Sequence, residues 1–308
     1  MRQDSPLTGI TLMLGFCIVA PMGDAVAKLL GASVPLAQVV LIRFALQVAL
    51  LFPLIWLTGR AWRVSGQMLG LVILRTVLHI TGIAAMFTAL RYLPLADAVA
   101  IAFVMPSFML VLGRMVLGEE VGTRRLLACI AGFAGTLLVV QPSFASVGWP
   151  ALLPVLVAAT FAVFMLLTRQ IATATDPIGL QAVSGVIAFV LILPLIWLGE
   201  AREIAVLSLI APDGRAWILL GAIGLLGTVA HLLMTWALSF APSTTLAPMQ
   251  YLEIPFATVI GYFLFQDIPD PVAGLGILIT IAAGLYIILR ERAIARLPVP
   301  EAAPPAPA

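Results

Sequence analysis

Long apolar runs alternate with short polar connections along almost the whole chain. They fall at roughly 7–30, 36–58, 69–91, 95–117, 125–141, 149–168, 178–198, 216–239, 244–265 and 271–290. A helix rises 1.5 Å per residue, so about 20 such residues cross the ~30 Å hydrocarbon layer of a bilayer. The connections, such as "TGRAWRVSGQ", "GEEVGTRR" and "GEAREIAVLSLIAPDGRA", carry most of the charge, glycine and proline. The pattern predicts an all-α integral membrane protein with ten transmembrane helices. The last stretch, "ERAIARLPVPEAAPPAPA" at 291–308, is rich in proline and alanine and reads as a disordered cytoplasmic tail. No soluble module is expected, so there is no room for an ATPase unit or a separate catalytic domain.

Composition agrees with the pattern. The 308 residues are 62% hydrophobic and 10% charged, with a mean hydropathy of +1.16. A soluble domain of this length could not hide so much apolar surface. A net charge of +2 argues against nucleic acid as a partner. Cys17 and Cys129 sit inside apolar runs and read as buried spectators, not as a disulfide framework or a metal site. The first run is too long for a signal-peptide core and lacks an A-x-A cleavage site, which predicts a retained first span.

Lys and Arg in the short loops set the expected orientation. With the N-terminus in the cytoplasm, the inner side holds Arg2, Arg60, Arg63, Arg124, Arg125, Arg169, Arg290, Arg292 and Arg296. The outer side then holds Lys28, Arg91, Arg202 and Arg215, while Arg43, Arg75 and Arg114 lie within spans. This bias places both termini inside.

The second half of the chain repeats the first. "PLIWL" occurs at 53–57 and at 194–198, ending spans 2 and 7. At an offset of 148, Ala89-Leu90 meets Ala237-Leu238, Pro94 meets Pro242, Gly113 meets Gly261 and Glu119 meets Asp267. Five spans is an odd number, so the second copy is inverted in the membrane. Inverted repeats place a binding site at the midplane between the halves, where rocking exposes it to each side in turn. The expected domains are a first five-helix repeat at 1–145 and a second, inverted one at 146–290. Pseudosymmetry within one chain predicts a monomer.

The segment "ALRYLPLADAVAIAFVMPSFMLVLGRMVLGEEVGTRRLLACIAGFAGTLLVV" at 89–140, within a five-plus-five arrangement, resembles the EamA-type permeases of the drug/metabolite transporter superfamily. The "LPLADA" opening of span 4, the proline within it and the "GEE" after it carry the likeness. A weaker copy at 237–289 departs from the pattern with "FQD" in place of "GEE". The resemblance covers nearly the whole chain. It implies a carrier of small metabolites, often an exporter of amino acids or toxic compounds.

Ionisable groups within a span cost about 2.5–3.5 kcal/mol on insertion scales and normally face the bundle interior or a water-filled cavity. Glu253 lies near the middle of span 9, two residues before Pro255. It reads as a proton-coupling or cation-binding carboxylate, or as a neutral packing residue. Pro255 and its counterpart Pro106 each follow their span's start by eleven residues. Both are candidate helix breaks lining a cavity.

In span 3, Arg75, His79, Gly82 and Met86 are spaced four, three and four, which puts them on one helical face. His231 of span 8 corresponds at the 148 offset to Ile83, one turn after His79. Both histidines thus map to the same face of equivalent helices, aimed at one shared cavity or held in interhelical hydrogen bonds. Thr235 and Trp236 flank the span 8 stripe, and Met105 and Met249 are further candidates for the cavity wall. Arg75 either holds a substrate carboxylate or snorkels to the headgroups, as Arg114 is expected to do. Asp24 and Lys28 are an i,i+4 pair with Arg43 at similar depth, either an internal ion pair or a gate lock. Asp97 reads as an N-terminal dipole or capping carboxylate of span 4. Gly82, Gly132, Gly135, Gly221, Gly224 and Gly227 permit close helix approach. Met13, Met22, Met86, Met105, Met109, Met234 and Met249 furnish either an adaptable wall or bilayer-facing filler.

No nucleophile–base set, metal-ligand cluster or nucleotide-binding glycine motif appears. The chain is therefore expected to be no enzyme and to need neither cofactor nor metal. Its partners are a small-molecule substrate, the lipid bilayer and, through Glu253, protons. The leading reading is a secondary transporter exporting amino acids, aromatic or hydrophobic ones among them. The runner-up is uptake of a cationic or nucleoside-like metabolite such as a sulfonium compound. A lipid flippase or lipid-modifying membrane subunit is the third, and it requires polar groups gathered at one interface instead of the midplane.

Overall fold

The computed structural model describes residues 6–31, 33–64, 66–105, 107–109, 112, 115, 123–242 and 246–295. Every regular element among them is helical. In chain order the α-helices are α1 (Pro6–Leu30), α2 (Leu36–Thr58), α3 (Gln67–Ala89), α4 (Leu95–Ala102) and α5 (Thr123–Val147). They continue with α6 (Leu153–Ala172), α7 (Pro177–Ala201), α8 (Gly214–Phe240), α9 (Glu253–Phe265) and α10 (Pro271–Ala295). Tighter 3₁₀ segments occur at Trp149–Leu152, Ala205–Leu207 and Ala247–Leu252.

Among the described residues seven helices are long and apolar enough to cross a membrane: Leu7–Leu30, Leu36–Thr58, Gln67–Ala89, Leu126–Val147, Trp149–Ala172, Pro177–Ala201 and Gly214–Phe240. Leu95–Met109, Met249–Phe265 and Pro271–Tyr286 are shorter apolar helices. Trp56, Leu57, Ile218 and Phe263 stand fully outward on these helices. Water would not tolerate so continuous an apolar exterior, whereas lipid tails match it. The protein is a multi-pass membrane protein.

Local sequence explains the helix ends. Asp176 opens α7 by accepting from the N–H groups of Ile178 (3.0 Å) and Gly179 (3.2 Å), with Pro177 at the first helical position. Asp213 opens α8 in the same way, accepting from the Ala216 N–H at 2.7 Å. Gly59 ends α2 in the left-handed region at φ +63°, where a Cβ would be strained. Several boundaries differ from the hydropathy pattern. α5 continues through Pro142 to Val147, beyond the expected end at 141, and α10 runs to Ala295, past the expected start of the tail. Residues 296–308 lie outside the described residues, as do Pro106, Arg114, Glu119 and Glu120.

Asp97 stands in the first turn of α4, where a carboxylate complements the helix dipole, but it does not cap the helix. Its Oδ2 accepts from the Ser143 hydroxyl at 2.9 Å, a bond to α5 that a helix-start argument does not foresee.

The helices associate in pairs: α1 lies along α8, α3 along α6, α2 along α7, α5 along α10 and α4 along α9. Two apolar clusters hold the bundle. One gathers residues such as Leu30, Val40, Phe87, Val99 and Ile254, and the other Met13, Phe16, Met109, Phe164 and Met249. Of the candidate methionines, Met13, Met109, Met234 and Met249 are therefore core, while Met22 is exposed. The expected glycine stripe of α8 is used in part. A Cβ on Gly224 would strike Leu46 and one on Gly227 would strike the Arg43 guanidinium, both from α2, whereas Gly221 has no neighbour within 4 Å.

Two helix backbones approach closely between α5 and α10, where a Cβ on Gly135 would stand 2.7 Å from the Gly276 carbonyl oxygen. Backbone cannot yield as a flexible side chain can, so overpacking of about 1–3 kcal/mol is expected there. Gly135→Ala or Gly276→Ala should lower the melting temperature of the detergent-solubilised protein, and Gly221→Ala should not. Thermal unfolding followed by circular dichroism checks both.

Candidate binding cavity

Where the two apolar clusters meet, the bundle encloses a cavity of about 140 Å³. Most of its wall is apolar and aromatic, including Phe16 of α1, Met86 of α3, Phe103 and Met105 beside α4, and Phe161 of α6. Among these stand the polar groups Asp24, Arg43, His79, His231, Gln250 and Glu253. An apolar space with a few convergent polar groups is the usual form of a small-molecule site.

Charge is unevenly matched in this cavity. The wall carries two carboxylates, Asp24 and Glu253, and one guanidinium, Arg43. Among the described residues the ion pairs are Lys28–Asp267 (2.6 Å) and Arg60–Asp176 (2.8 Å), neither of which involves a cavity residue. Asp24 and Glu253 take no part in these ion pairs, Arg43 is the charged group that acts on Asp24, and the Nη1 of Arg43 is buried without a hydrogen-bond partner. Arg43 owes its place to Gly227, whose missing side chain leaves room for the guanidinium.

This corrects the expected Asp24–Lys28 pairing. Although they are i,i+4 on α1, Lys28 reaches across to Asp267, just beyond α9, and lies 4.6 Å from the centre of the Phe265 ring. Asp24 stays on the cavity wall, where Arg43 is the charged group that acts on it.

The two histidines meet. Nε2 of His79 and Nε2 of His231 are 3.1 Å apart, a single hydrogen bond between α3 and α8. One imidazole donates through Nε2–H and the other accepts on its bare Nε2, so the bond survives one added proton and is broken by two. Neither Nδ1 has a partner, and Phe44, Phe164, Phe16 and Phe161 surround the pair. Gly82 lines the cavity one turn along α3, and a Cβ there would stand 3.1 Å from the Thr160 hydroxyl.

Arg75 is neither at the headgroups nor on the cavity wall. It is wholly buried, donating through Nε to the Thr168 hydroxyl (2.7 Å) and through Nη1 to the Ser184 hydroxyl (2.9 Å). Its guanidinium carbon lies 4.4 Å from the centre of the Phe164 ring. Snorkelling needs a helix end, and α6 and α7 enclose this one instead. Thr235 also stands behind the wall, donating to the His231 carbonyl and accepting from Gln181 Nε2, both at 2.6 Å. Trp236 packs against the separate apolar cluster of Leu51, Ile55 and Ile178. Met249 is core, with its carbonyl accepting from the Cys17 thiol at 3.4 Å.

Pro255 does not interrupt a helix. It sits in the first turn of α9, where its absent N–H is not needed, and the change of backbone falls just before, between the 3₁₀ segment Ala247–Leu252 and Glu253. Gln250 escaped the sequence reading. It is 1% exposed and lines the cavity, with neither Nε2 nor Oε1 partnered. A neutral amide in an apolar run stands out less than a charge, and its three-residue spacing from Glu253 was the available signal. Among the described residues no three His, Cys, Asp or Glu side chains group as metal ligands.

Comparison with known proteins assigns this architecture. The EamA-like transporter family matches the chain twice, over residues 7–141 and 148–290. A riboflavin transporter of Brucella anthropi is 28% identical over 268 residues, covering 86% of this chain and 92% of that one. An S-adenosylmethionine uptake transporter of Rickettsia felis is 26% identical, covering 93% of this chain and 94% of its own. A pseudopaline exporter of Pseudomonas aeruginosa is 25% identical, covering 96% and 99%. A crystal structure superposes with a TM-score of 0.66 at 16% identity, over 95% of this chain and 99% of the other, a likeness of fold alone.

The placement of Arg75 has a measurable consequence. Ser184→Ala or Thr168→Val leaves a buried guanidinium nitrogen unpaired, at about 1–3 kcal/mol. Each should lower the melting temperature while ligand affinity in the cavity stays unchanged. A loss of affinity at unchanged stability would instead put Arg75 in the binding site.

Proposed function

The chain belongs to the EamA-like transporter family, and on that footing we propose that it is a secondary transporter. It carries a small cationic or amphoteric metabolite across the bacterial inner membrane by alternating access. The observation that carries the cargo class is the cavity wall, where two carboxylic side chains, Asp24 and Glu253, stand against one guanidinium, Arg43, and neither takes part in an ion pair within 4.0 Å among the described residues. A cationic centre on the cargo satisfies the carboxylates, and an acidic group, where present, meets Arg43. Amino acids fit this description, so their export, aromatic ones included, falls within it. A sulfonium or other cationic metabolite fits it as well. The named relatives, a riboflavin transporter, an S-adenosylmethionine uptake transporter and a pseudopaline exporter, differ in cargo and in direction. They support the class of protein and no one compound.

Alternating access rests on two inverted five-helix repeats, at 1–145 and 146–290. The double family match supports the duplication. So does the pairing: exchanging each helix with the one five places away turns α1–α8 into α6–α3 and returns α2–α7, α4–α9 and α5–α10 to themselves. Ten spans also fit the lengths. α9 rises about 20 Å at 1.5 Å per residue, and the six residues of 3₁₀ helix before it add roughly 12 Å. Together they match the ~30 Å hydrocarbon layer.

Glu253 couples transport to protons in this scheme. A protonated carboxyl no longer attracts a cation, so proton and cargo compete for one site and lowering the pH weakens cationic cargo. Lys28–Asp267 then serves as the latch of one end. At the repeat offset of 141 Lys28 corresponds to Arg169, and at 148 Asp267 corresponds to Glu119, which puts the matching positions at the opposite end. One chain suffices for the cycle.

Purified protein in liposomes tests the scheme. S-adenosylmethionine, riboflavin and a panel of amino acids are offered with and without a pH gradient. Cationic or amphoteric cargo should be moved, and Glu253→Gln should abolish the pH dependence. Flux of uncharged apolar compounds alone, or an unaltered pH profile in that variant, would sink the proposal. For the latch, Lys28→Asp and Asp267→Lys should each slow transport several-fold, and the double reversal should restore most of it. A double variant as slow as the singles removes the latch.

A further inference from the structure

Gln250 has a role that charge complementarity does not cover. It is 1% exposed, it lines the cavity, and neither polar atom of its carboxamide has a partner. The other buried glutamines are engaged. Gln181 donates to the Thr235 hydroxyl at 2.6 Å and to the His231 carbonyl at 3.0 Å. Gln47 donates to the Gln181 carbonyl at 2.6 Å. Gln38 is the most instructive, for its Nε2 donates to the Ile210 carbonyl at 2.9 Å while its Oε1 accepts from the Ile210 N–H at 3.0 Å. One carboxamide there reads an adjacent acceptor and donor at once.

A buried carboxamide left wholly unpaired is unfavourable, and a ligand that presents both complementary groups removes the penalty. The groups facing it also define the ligand's body. Phe16, Phe103 and Phe161 offer flat aromatic surfaces along the wall. The cavity, about 140 Å³, is close to the ~150 Å³ that holds one benzene-sized ring. A flat ring with a donor and an acceptor on its edge uses both the walls and the amide.

We propose that Gln250 is the specificity-determining residue of this cavity, reading the edge of a planar nitrogen heterocycle on which a hydrogen-bond donor and an acceptor lie side by side. The charged arm of such a molecule extends towards Asp24, Arg43 and Glu253, while its ring lies between the aromatic walls. Side-chain carboxamides make this bidentate contact with adenine edges in other settings, where it discriminates by roughly 10- to 100-fold. The inference rests on the reading of this cavity as the cargo site.

Calorimetric binding to the purified full chain tests it, with 9-methyladenine and N6,N6,9-trimethyladenine as one probe pair and 1-methyluracil and 1,3-dimethyluracil as another. Each second member keeps the ring and loses the N–H donor. Wild type should prefer the first member of each pair by about 10- to 100-fold. Gln250→Met, which has no donor, should bind both members alike. Because the amide makes no hydrogen bond, Gln250→Met should melt no lower than wild type. A melting point well below wild type marks a structural role and overturns the proposal. So does an absence of preference in wild type, or a full preference in Gln250→Met. The liposome measurements separate the two readings. Gln250-dependent preference without flux of any cargo refutes transport and leaves the specificity role standing. Flux of cationic cargo with unaltered preference in Gln250→Met refutes the specificity role alone.

Discussion

Within a bilayer a polar atom without a protein partner has no water to take its place, and this constraint divides the buried polar side chains into two sets. In the first set every residue ties one element to another. Arg75 joins α3 to α6 and α7 through Thr168 and Ser184. Gln181 joins α7 to α8, and Gln38 joins α2 to the loop before α8. The second set, Asp24, Arg43, Gln250 and Glu253, lies on one cavity wall and includes Gln250, whose amide has no partner at either atom. Unsatisfied polar groups are tolerated where a ligand completes them, which makes this cavity the candidate site.

The histidine pair stands between the two sets. His79 and His231 satisfy one nitrogen each by meeting across 3.1 Å and leave the other unpartnered. That bond joins α3, which lies along α6, to α8, which lies along α1. Any movement of one helix pair against the other must carry the bond along or break it. Aromatic rings on several sides keep the imidazoles dry and fix their orientation. The pair therefore joins the two helix pairs at the wall of the cavity they border.

Some of the site was legible in the chain because it violates a local rule. Glu253 is a charge in an apolar run, and the repeat offset sets His231 one turn from His79 on equivalent helices. Other assignments failed because local spacing carries no information about distant partners. Lys28 and Asp24 share a helix face, but the partner of Lys28 lies 239 positions away. Arg75 looked available because Thr168 and Ser184 belong to other helices. Asp97 looked like a cap because Ser143 of α5 could not be seen beside it. Gln250 passed unnoticed because a neutral amide resembles its surroundings until its missing partners are counted.

The amino-acid order by itself determined the membrane class, the helical runs and their approximate ends. These follow from hydropathy and from caps such as Asp176 and Asp213, which act within a few residues. It also determined that charges would be carried inside the spans, because those residues are written there. Tertiary structure alone decided which of them are tied and which are open. That choice depends on the rotation of each helix and on small residues such as Gly227, which admits Arg43 to the wall. Helix rotation is set by packing across the whole bundle, a sum over contacts between residues far apart in the chain, and no local pattern contains it.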